Sequence, residues 1–186
     1  MNDNTPEQSG MPLEDFYEDG KKLSVVKFQE RHGEAFLLHR SDGGSLRPPQ
    51  GPQRTVAADG SQLPGNPGGG MKTSYVVFPV KQTGRSMFAQ LISVGRTKNN
   101  DVIISDVSIS KFHAFFKKGE NGKFFVQDAG SRNGTFVNGK KVPESGKGDP
   151  VLIQPGAKIR FGAVELTFQE AAELHDLVSW IARGGR

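Results

Sequence analysis

The sequence predicts an all-β sandwich between about Tyr75 and Phe168, followed by one helix. The apolar runs in this region are short and rich in β-branched and aromatic residues, and Gly, Asn, Asp and Pro separate them. Many short strands at close spacing are typical of a sandwich. The predicted strands are residues 75–78, 89–94, 102–104, 113–116, 124–126, 135–137, 151–153, 158–161 and 164–168.

Two tight turns are predicted between these strands. Asn121-Gly122 is typical of a type I′ hairpin turn, in which both central residues have positive φ. Residues 161–164, Phe-Gly-Ala-Val, favour a second turn.

The first forty residues predict a small helix–strand unit. Residues 1–12 are polar, Ser24 can cap a helix that runs to Arg31, and Gly33 can end it before a strand at residues 35–38. Such a unit is too small to bury a core of its own, so it either docks on another surface or is only partly ordered.

Residues 41–70 are rich in Gly and Pro and predict a linker. A segment of about thirty such residues inside a compact domain is unusual, which favours a domain boundary. The predicted organisation is therefore a flexible N-terminal extension (1–40), a linker (41–70), the sandwich (71–169) and a C-terminal helix (170–186).

The C-terminal segment predicts an amphipathic helix over residues 170–183. Its apolar residues recur at helical spacing, and two glycines follow as a stop. We expect the apolar face to pack on the sandwich; a contact with a partner or a second copy is the alternative.

Composition limits the possible classes of protein. The chain has no Cys, which excludes disulfides and thiolate metal sites, and its scattered His residues lack ligand spacing, so we expect no cofactor and no metal. No apolar run approaches the ~20 residues of a membrane helix, and the N-terminus does not resemble a secretory signal, so the expected location is the cytoplasm. Residues 71–170 carry 15 Lys/Arg against 8 Asp/Glu, a basic balance that suits an anionic partner or a solvated surface.

A dispersed set of polar residues lies at the turns of the predicted sandwich. It consists of Gly95-Arg96, Asn100-Asp101, Ser110-Lys111-Phe112-His113, Ser131-Arg132-Asn133-Gly134-Thr135 and Asn138-Gly139. If one end of the sandwich gathers these turns, they can form a phosphate pocket. Such a pocket needs a fixed cation such as the Arg96 fork, a short donor such as the Ser110 hydroxyl, and a second charge such as Lys111. Asn133 and Asn138 carry a donor and an acceptor, which suits a peptide main chain.

Each residue also has a simpler interpretation. Arg96 could form a surface ion pair with Asp101 or Asp106, Ser110 could be a turn residue, and Lys111 and Arg132 could be solvated. Asn100-Asp101 favours a loop brace, and Asn138-Gly139 favours a hairpin turn. His113, flanked by Phe112 and Phe115, favours a structural role.

The ordered combination Gly-Arg, Ser-x-x-His, Ser-x-Asn-Gly-Thr and Asn-Gly resembles the forkhead-associated (FHA) domain, over about residues 75–168. The resemblance implies an eleven-stranded β-sandwich that binds phosphothreonine peptides through loops at one end. It also implies that Arg96, Ser110 and Lys111 hold the phosphate, that Arg132 reaches it in some members, and that Asn133 and Asn138 bind or support the ligand backbone. Gly95, His113, Gly134 and Gly139 would shape the loops, with Asn100, Asp101 and Thr135 in the supporting framework.

The expected function is therefore that of a signalling adaptor which binds a phosphothreonine-containing protein, the product of a Ser/Thr kinase. The resemblance further implies selectivity for Thr over Ser, and a preference set by the residue three after the phosphothreonine, facing Ser108, Ile109, Gly130 and Ser131. An enzyme is disfavoured because no nucleotide-binding loop or catalytic motif occurs. The sequence is also compatible with a nucleic-acid binder and with a phosphate-independent scaffold. Thr55 in the linker is a candidate phosphosite that could occupy the same pocket.

Overall fold

The structure is a computed structural model that describes residues 10–40, 74–86, 88 and 90–184. Within these residues, two β-sheets face each other and helices cover the outer side of one sheet. The strands are β1 (Met11–Pro12), β2 (Ala35–Arg40), β3 (Tyr75–Pro79), β4 (Ile92–Gly95), β5 (Val102–Ile103), β6 (Ala114–Lys118), β7 (Phe124–Asp128), β8 (Thr135–Val137), β9 (Lys140–Lys141), β10 (Val151–Leu152), β11 (Lys158–Phe161) and β12 (Val164–Glu170). A 3₁₀ turn (Leu13–Phe16) precedes α1 (Tyr17–Lys22), and α2 (Val25–His32) and α3 (Ala171–Ala182) complete the elements.

The core lies between the two sheets. The seven-stranded sheet has the order β1-β3-β2-β12-β11-β8-β9, and the five-stranded sheet has the order β10-β7-β6-β4-β5. Alternate residues of each strand point inward, as the period of two requires. Phe116 and Val126 from the smaller sheet meet Phe161, Leu166 and Phe168 from the larger one, and all five are at most 1% exposed.

The N-terminal residues are part of the sandwich. Strand β2 lies between β3 and β12: Leu38 pairs with Val77 on one side and with Thr167 on the other. Residues 41–70, predicted as a linker at a domain boundary, therefore connect two neighbouring antiparallel strands of one sheet. This corrects the prediction that the sandwich begins at residue 71. Within the described residues there are twelve strands, not the expected eleven, and β1 is an edge strand beside β3.

A second apolar cluster fixes the helices to the outer face of the larger sheet. Phe28 of α2 is completely buried. The centre of its ring lies 6.2 Å from the ring centre of Phe16, in the 3₁₀ turn, and 6.4 Å from that of Phe36 in β2. Leu174 of α3 is also completely buried in this cluster. Helix α3 was expected to pack on the sandwich; it packs on both the sheet and the N-terminal helices.

Close contacts hold α3 against the N-terminal unit. The Ser179 hydroxyl donates to the Gly20 carbonyl at 2.6 Å. A Cβ at Gly20 would lie 2.6 Å from Val178 Cγ2, so any side chain there would push the two helices apart. The predicted α2 is confirmed from its Ser24 cap to its end at Gly33.

Of the two Asn-Gly pairs that predicted hairpin turns, only Asn138-Gly139 forms the type I′ turn. Asn138 and Gly139 have φ values of 49° and 80°, and Val137 pairs with Lys140, which is the two-residue hairpin expected of an Asn-Gly pair. At Asn121-Gly122 only Gly122 has positive φ, so the type I′ assignment there was wrong. That turn is closed by the Gly119 amide, which donates to the Lys123 carbonyl at 2.8 Å.

Candidate functional site

A cleft of about 240 Å³ opens at one end of the sandwich. It is bounded by the loop after β4, the loop before β6 and the loop before β8, which are far apart in sequence. Its lining consists of Arg96, Val107, Ser108, Ile109, Ser110, Lys111, Arg132 and Asn133. Five of the six residues predicted to bind a ligand therefore lie around one cavity.

Gly95 sets the approach of the first two loops. A Cβ at this position would overlap the Lys111 carbonyl oxygen, so only glycine permits the approach. The Arg96 amide then donates to the Ser110 carbonyl at 3.1 Å. Asn100 supports the same contact because its Nδ2 donates to the Lys111 carbonyl at 2.7 Å. These bonds place Arg96 beside Ser110 and Lys111.

His113 links the Ser110 loop to the loop before β8. Its Nδ1 accepts from the Ser110 amide at 3.0 Å, so the proton of the neutral ring lies on Nε2, which donates to the Gly134 carbonyl at 3.2 Å. Burial lowers the pKa of His113 below its usual value, which keeps the ring neutral in this bridge. The predicted structural role agrees with this geometry.

The two loops also meet directly through side chains. The Arg132 amide donates to the Ser110 hydroxyl oxygen at 3.1 Å, which leaves the hydroxyl hydrogen for another acceptor. Asn133 Nδ2 donates to the Ser108 carbonyl at 2.7 Å, which leaves its amide oxygen to accept from a ligand N–H. Ser110 and Asn133 therefore link the loops of the cleft, and each keeps one polar group that can form a hydrogen bond with a bound molecule.

Two buried carboxylates brace the framework. Burial alone would raise their pKa, but four hydrogen bonds to each outweigh this and hold the pKa of Asp101 and Asp128 below the usual value. Asp101 accepts from Thr83 and Ser93, the latter at 2.9 Å from both amide and hydroxyl. Asp128 accepts from the loop that carries Asn133 and from the buried Thr135 hydroxyl at 2.6 Å.

The cations of the cleft form no ion pair with an acidic residue within the described part of the chain. Arg96, Lys111 and Arg132 are exposed, and none of the ion pairs among residues 10–40, 74–86 and 90–184 includes them. Asp101 is buried, and its carboxylate accepts hydrogen bonds from Thr83 and Ser93. The Asp106 carboxylate accepts from the Ser108 hydroxyl at 2.6 Å. The simpler interpretation of Arg96, as an ion-pair partner of either Asp, does not hold.

Asn138 and Gly139 lie outside the cleft lining. The Asn138 amide oxygen accepts from the Lys158 amide at 2.9 Å, and its own backbone N–H donates to the Lys158 carbonyl. This position fits a hairpin residue better than a ligand contact.

Two positions have contacts at the cleft that the sequence did not indicate: Ser108, expected only to face a flanking residue of the ligand, and Thr97, which was not predicted at all. Ser108 lines the cleft, and its hydroxyl accepts from the Ala163 amide at 2.9 Å, so it joins the cleft to the β11–β12 turn. Thr97 donates to the Lys111 carbonyl at 2.9 Å. The spacing Asp106-x-Ser108 is a local turn signal that could have indicated the first.

A larger cleft, of about 510 Å³, lies at the opposite end of the sandwich, beside α2. Its cations include Lys118, which forms an ion pair with Glu34. Its other cation, Lys81, is matched in number by a second carboxylate, Glu30, so the charges of the lining balance and size alone does not make this cleft the better anion site. No group of three metal-ligating side chains occurs within the described residues. In the same part of the chain, no helix is long and apolar enough to cross a membrane.

The fold and the cleft define a β-sandwich whose end loops gather cations around a small polar cavity. Residues 92–162 match the family model described as the FHA domain. The part of the chain that builds the cleft therefore matches the FHA domain family.

Comparison with curated proteins identifies two similar bacterial regulators. The chain is 36% identical over 78 residues to the glycogen accumulation regulator GarA of Mycobacterium tuberculosis, covering 42% of this chain and 44% of GarA. It is 37% identical over 76 residues to the oxoglutarate dehydrogenase inhibitor of Corynebacterium efficiens, covering 41% of this chain and 49% of that protein. The chain thus spans about half the length of these relatives or less.

Among solved structures, the N-terminal FHA domain of Saccharomyces cerevisiae Rad53p, in complex with a phosphothreonine peptide, has a TM-score of 0.43 and 19% identity. The superposition covers 76% of this chain and 97% of that chain.

Proposed function

We propose that this protein binds phosphothreonine-containing peptides through the cleft between Arg96 and Asn133. The observation that supports this most strongly is the set of three exposed cations, Arg96, Lys111 and Arg132, which border one small cavity without an acidic partner among the described residues. A phosphorylated side chain brings about −1.5 to −2 charges and three acceptor oxygens, which match this set.

The residues divide into three roles in this proposal. The Arg96 guanidinium holds two phosphate oxygens in a bidentate contact, and the Ser110 hydroxyl donates to a third. Lys111 and Arg132 add charge at the rim. The amide oxygen of Asn133 accepts from the main chain of the bound peptide, because its Nδ2 is already committed to Ser108.

We further propose selectivity for threonine over serine, through contact of the threonine methyl group with the aliphatic residues that line the cleft. Val107, which is 96% exposed, and the buried Ile109 are its aliphatic lining residues. Enclosing one extra methyl group is worth roughly 1–3 kcal/mol, or about 10–200-fold in affinity. The phosphate remains the larger requirement.

The test is a binding assay with matched peptides. A phosphothreonine peptide library is screened, and the best sequence is remade with phosphoserine, with unmodified threonine and in scrambled order. Fluorescence anisotropy should give a dissociation constant of micromolar order, about −8 kcal/mol, for phosphothreonine only. Equal affinity for the phosphorylated and unmodified peptides would refute the proposal. Specific competition by an oligonucleotide would favour a nucleic-acid binder instead.

The wider role that we propose is that of an adaptor for a protein phosphorylated by a Ser/Thr kinase. The described residues act by binding, without catalysis of their own, and the phosphate supplies the regulation. We place this activity in the cytoplasm, since the absence of Cys suits a reducing compartment. The candidate phosphosite Thr55 lies outside the described residues.

A further inference from the structure

A row of three side chains crosses the outer face of the larger sheet beside the cleft. Arg160 of β11 pairs in register with Phe136 of β8, and Phe136 pairs with Lys141 of β9. Phe136 and Arg160 alternate with buried neighbours and are partly exposed, and Lys141 is exposed. We call these three residues the basic ridge.

Two glycines join the basic ridge to the cleft. A Cβ at Gly134, the residue after Asn133, would lie 3.2 Å from Phe136 Cε2 and 3.6 Å from Lys141 Cε. The Gly162 amide donates to the Gly134 carbonyl at 3.1 Å, and Arg160 Nη1 donates to the Gly162 carbonyl at 2.5 Å. Both cations of the ridge therefore lie against the loops that border the cleft.

The two cationic side chains of the ridge differ in how firmly they are held, but both can bind an anion. The Arg160 guanidinium carbon lies 3.8 Å from the centre of the Phe136 ring, so stacking fixes its orientation. Glu165, opposite Arg160 in the sheet, pairs instead with Lys158 at 3.3 Å. Among the described residues, neither Arg160 nor Lys141 takes part in an ion pair.

We propose that the basic ridge binds Asp or Glu side chains that flank the phosphothreonine, so that the preferred partners are phosphopeptides with an acidic flank. This inference rests on the proposed function, and it names the class of peptide. An extended peptide advances about 3.3 Å per residue, so a chain anchored by its phosphate at Arg96 must run across the border of the cleft. Because Phe136 and Lys141 are the side chains nearest to Gly134, the ridge is placed to contact a peptide that leaves the cleft on that side.

The experiment compares one phosphothreonine peptide in three forms. The first has Asp and Glu on the N-terminal side, the second has them on the C-terminal side, and the third has Asn and Gln throughout. The proteins are the wild type, Lys141→Gln, and Lys117→Gln as the matched control. Lys117 is an exposed lysine of β6, in the other sheet, so its substitution changes net charge equally without touching the ridge.

We expect one acidic form to bind the wild type about 1.5- to 5-fold more tightly for each charge pair formed, with the gain lost at high salt. Lys141→Gln should bind the acidic peptide more weakly than the wild type does, by the factor expected for one charge pair, and should keep its affinity for the neutral-flank peptide. Lys117→Gln should behave as the wild type.

Equal affinities of the three phosphopeptides for the wild type would overturn this inference but leave the proposed function intact. An equal loss of preference in both variants would also overturn it, because net charge alone would then explain the effect. If no phosphopeptide is preferred over its unmodified form, it is the proposed function that fails.

Discussion

Replacing Arg96 with Ala should abolish phosphopeptide binding without unfolding the protein. The side chain is exposed and belongs to none of the ion pairs of the described residues, while its backbone bond to Ser110 survives the substitution. Surface changes of this kind usually alter the free energy of unfolding by less than about 0.5 kcal/mol.

The loss in binding can be estimated from the contact that is removed. Each hydrogen bond to a charged group contributes about 1.5–3 kcal/mol, and a guanidinium can make two to one phosphate. A total of about 3 kcal/mol corresponds to a loss of more than one hundredfold, since 1.4 kcal/mol is a factor of ten. Arg96→Lys keeps the charge but not the planar fork, so a loss of about tenfold is expected.

Titration calorimetry with the best phosphothreonine peptide measures the affinity, and urea unfolding measures stability. Lys123→Ala is a suitable control because it removes a positive charge at the other end of the sandwich, after the Gly122 turn. If Arg96→Ala binds within twofold of the wild type, the phosphate does not lie at Arg96 and the proposed anchor is wrong.

The strands of the sandwich were predictable because their signal is local. Alternating apolar residues and turn-forming residues gave nearly all the strands after Tyr75, although the edge strand β9 was missed because its exposed Lys140 and Lys141 carry no apolar pattern. The place of β2 was not predictable. Its pairing with β3 joins Arg40 to Tyr75 across a Gly- and Pro-rich segment, and composition gives no sign of a contact at that separation.

The candidate site shows the same division between local and distant information. Residue types at turns indicated Arg96, Ser110 and Asn133, because cations, hydroxyls and amides are common in phosphate sites. Which turns meet depends on how the sheets stack, so the bond from the Ala163 amide to the Ser108 hydroxyl could not be assigned from the residues around Ser108. Asn138 carries the same side chain as Asn133, yet its amide oxygen is used within the hairpin.

Two further substitutions and one titration test the cleft, its framework and the packing of the helices. Asn133→Ala should weaken phosphopeptide binding about tenfold with little change in the unfolding midpoint, and unaltered affinity in calorimetry would remove this residue from the site. NMR titration of His113 should give a pKa below 6.5; because the lowered pKa makes the neutral ring stabilising, that contribution is complete above about pH 6.5 and is lost on acidification through the folded-state pKa. A midpoint at or above 6.5 would contradict the neutral bridge to Ser110. Phe28→Ala should lower the free energy of unfolding by about 3–5 kcal/mol, because the ring is completely buried. Since its cluster is built on β2, which lies between β3 and β12 inside the larger sheet, the loss should affect the whole sandwich. Unfolding followed by Trp180 fluorescence, which reports on α3, and by phosphopeptide binding should then shift together. Two separate transitions, with binding retained after the helices unfold, would show that the N-terminal unit is only an attachment to the sandwich.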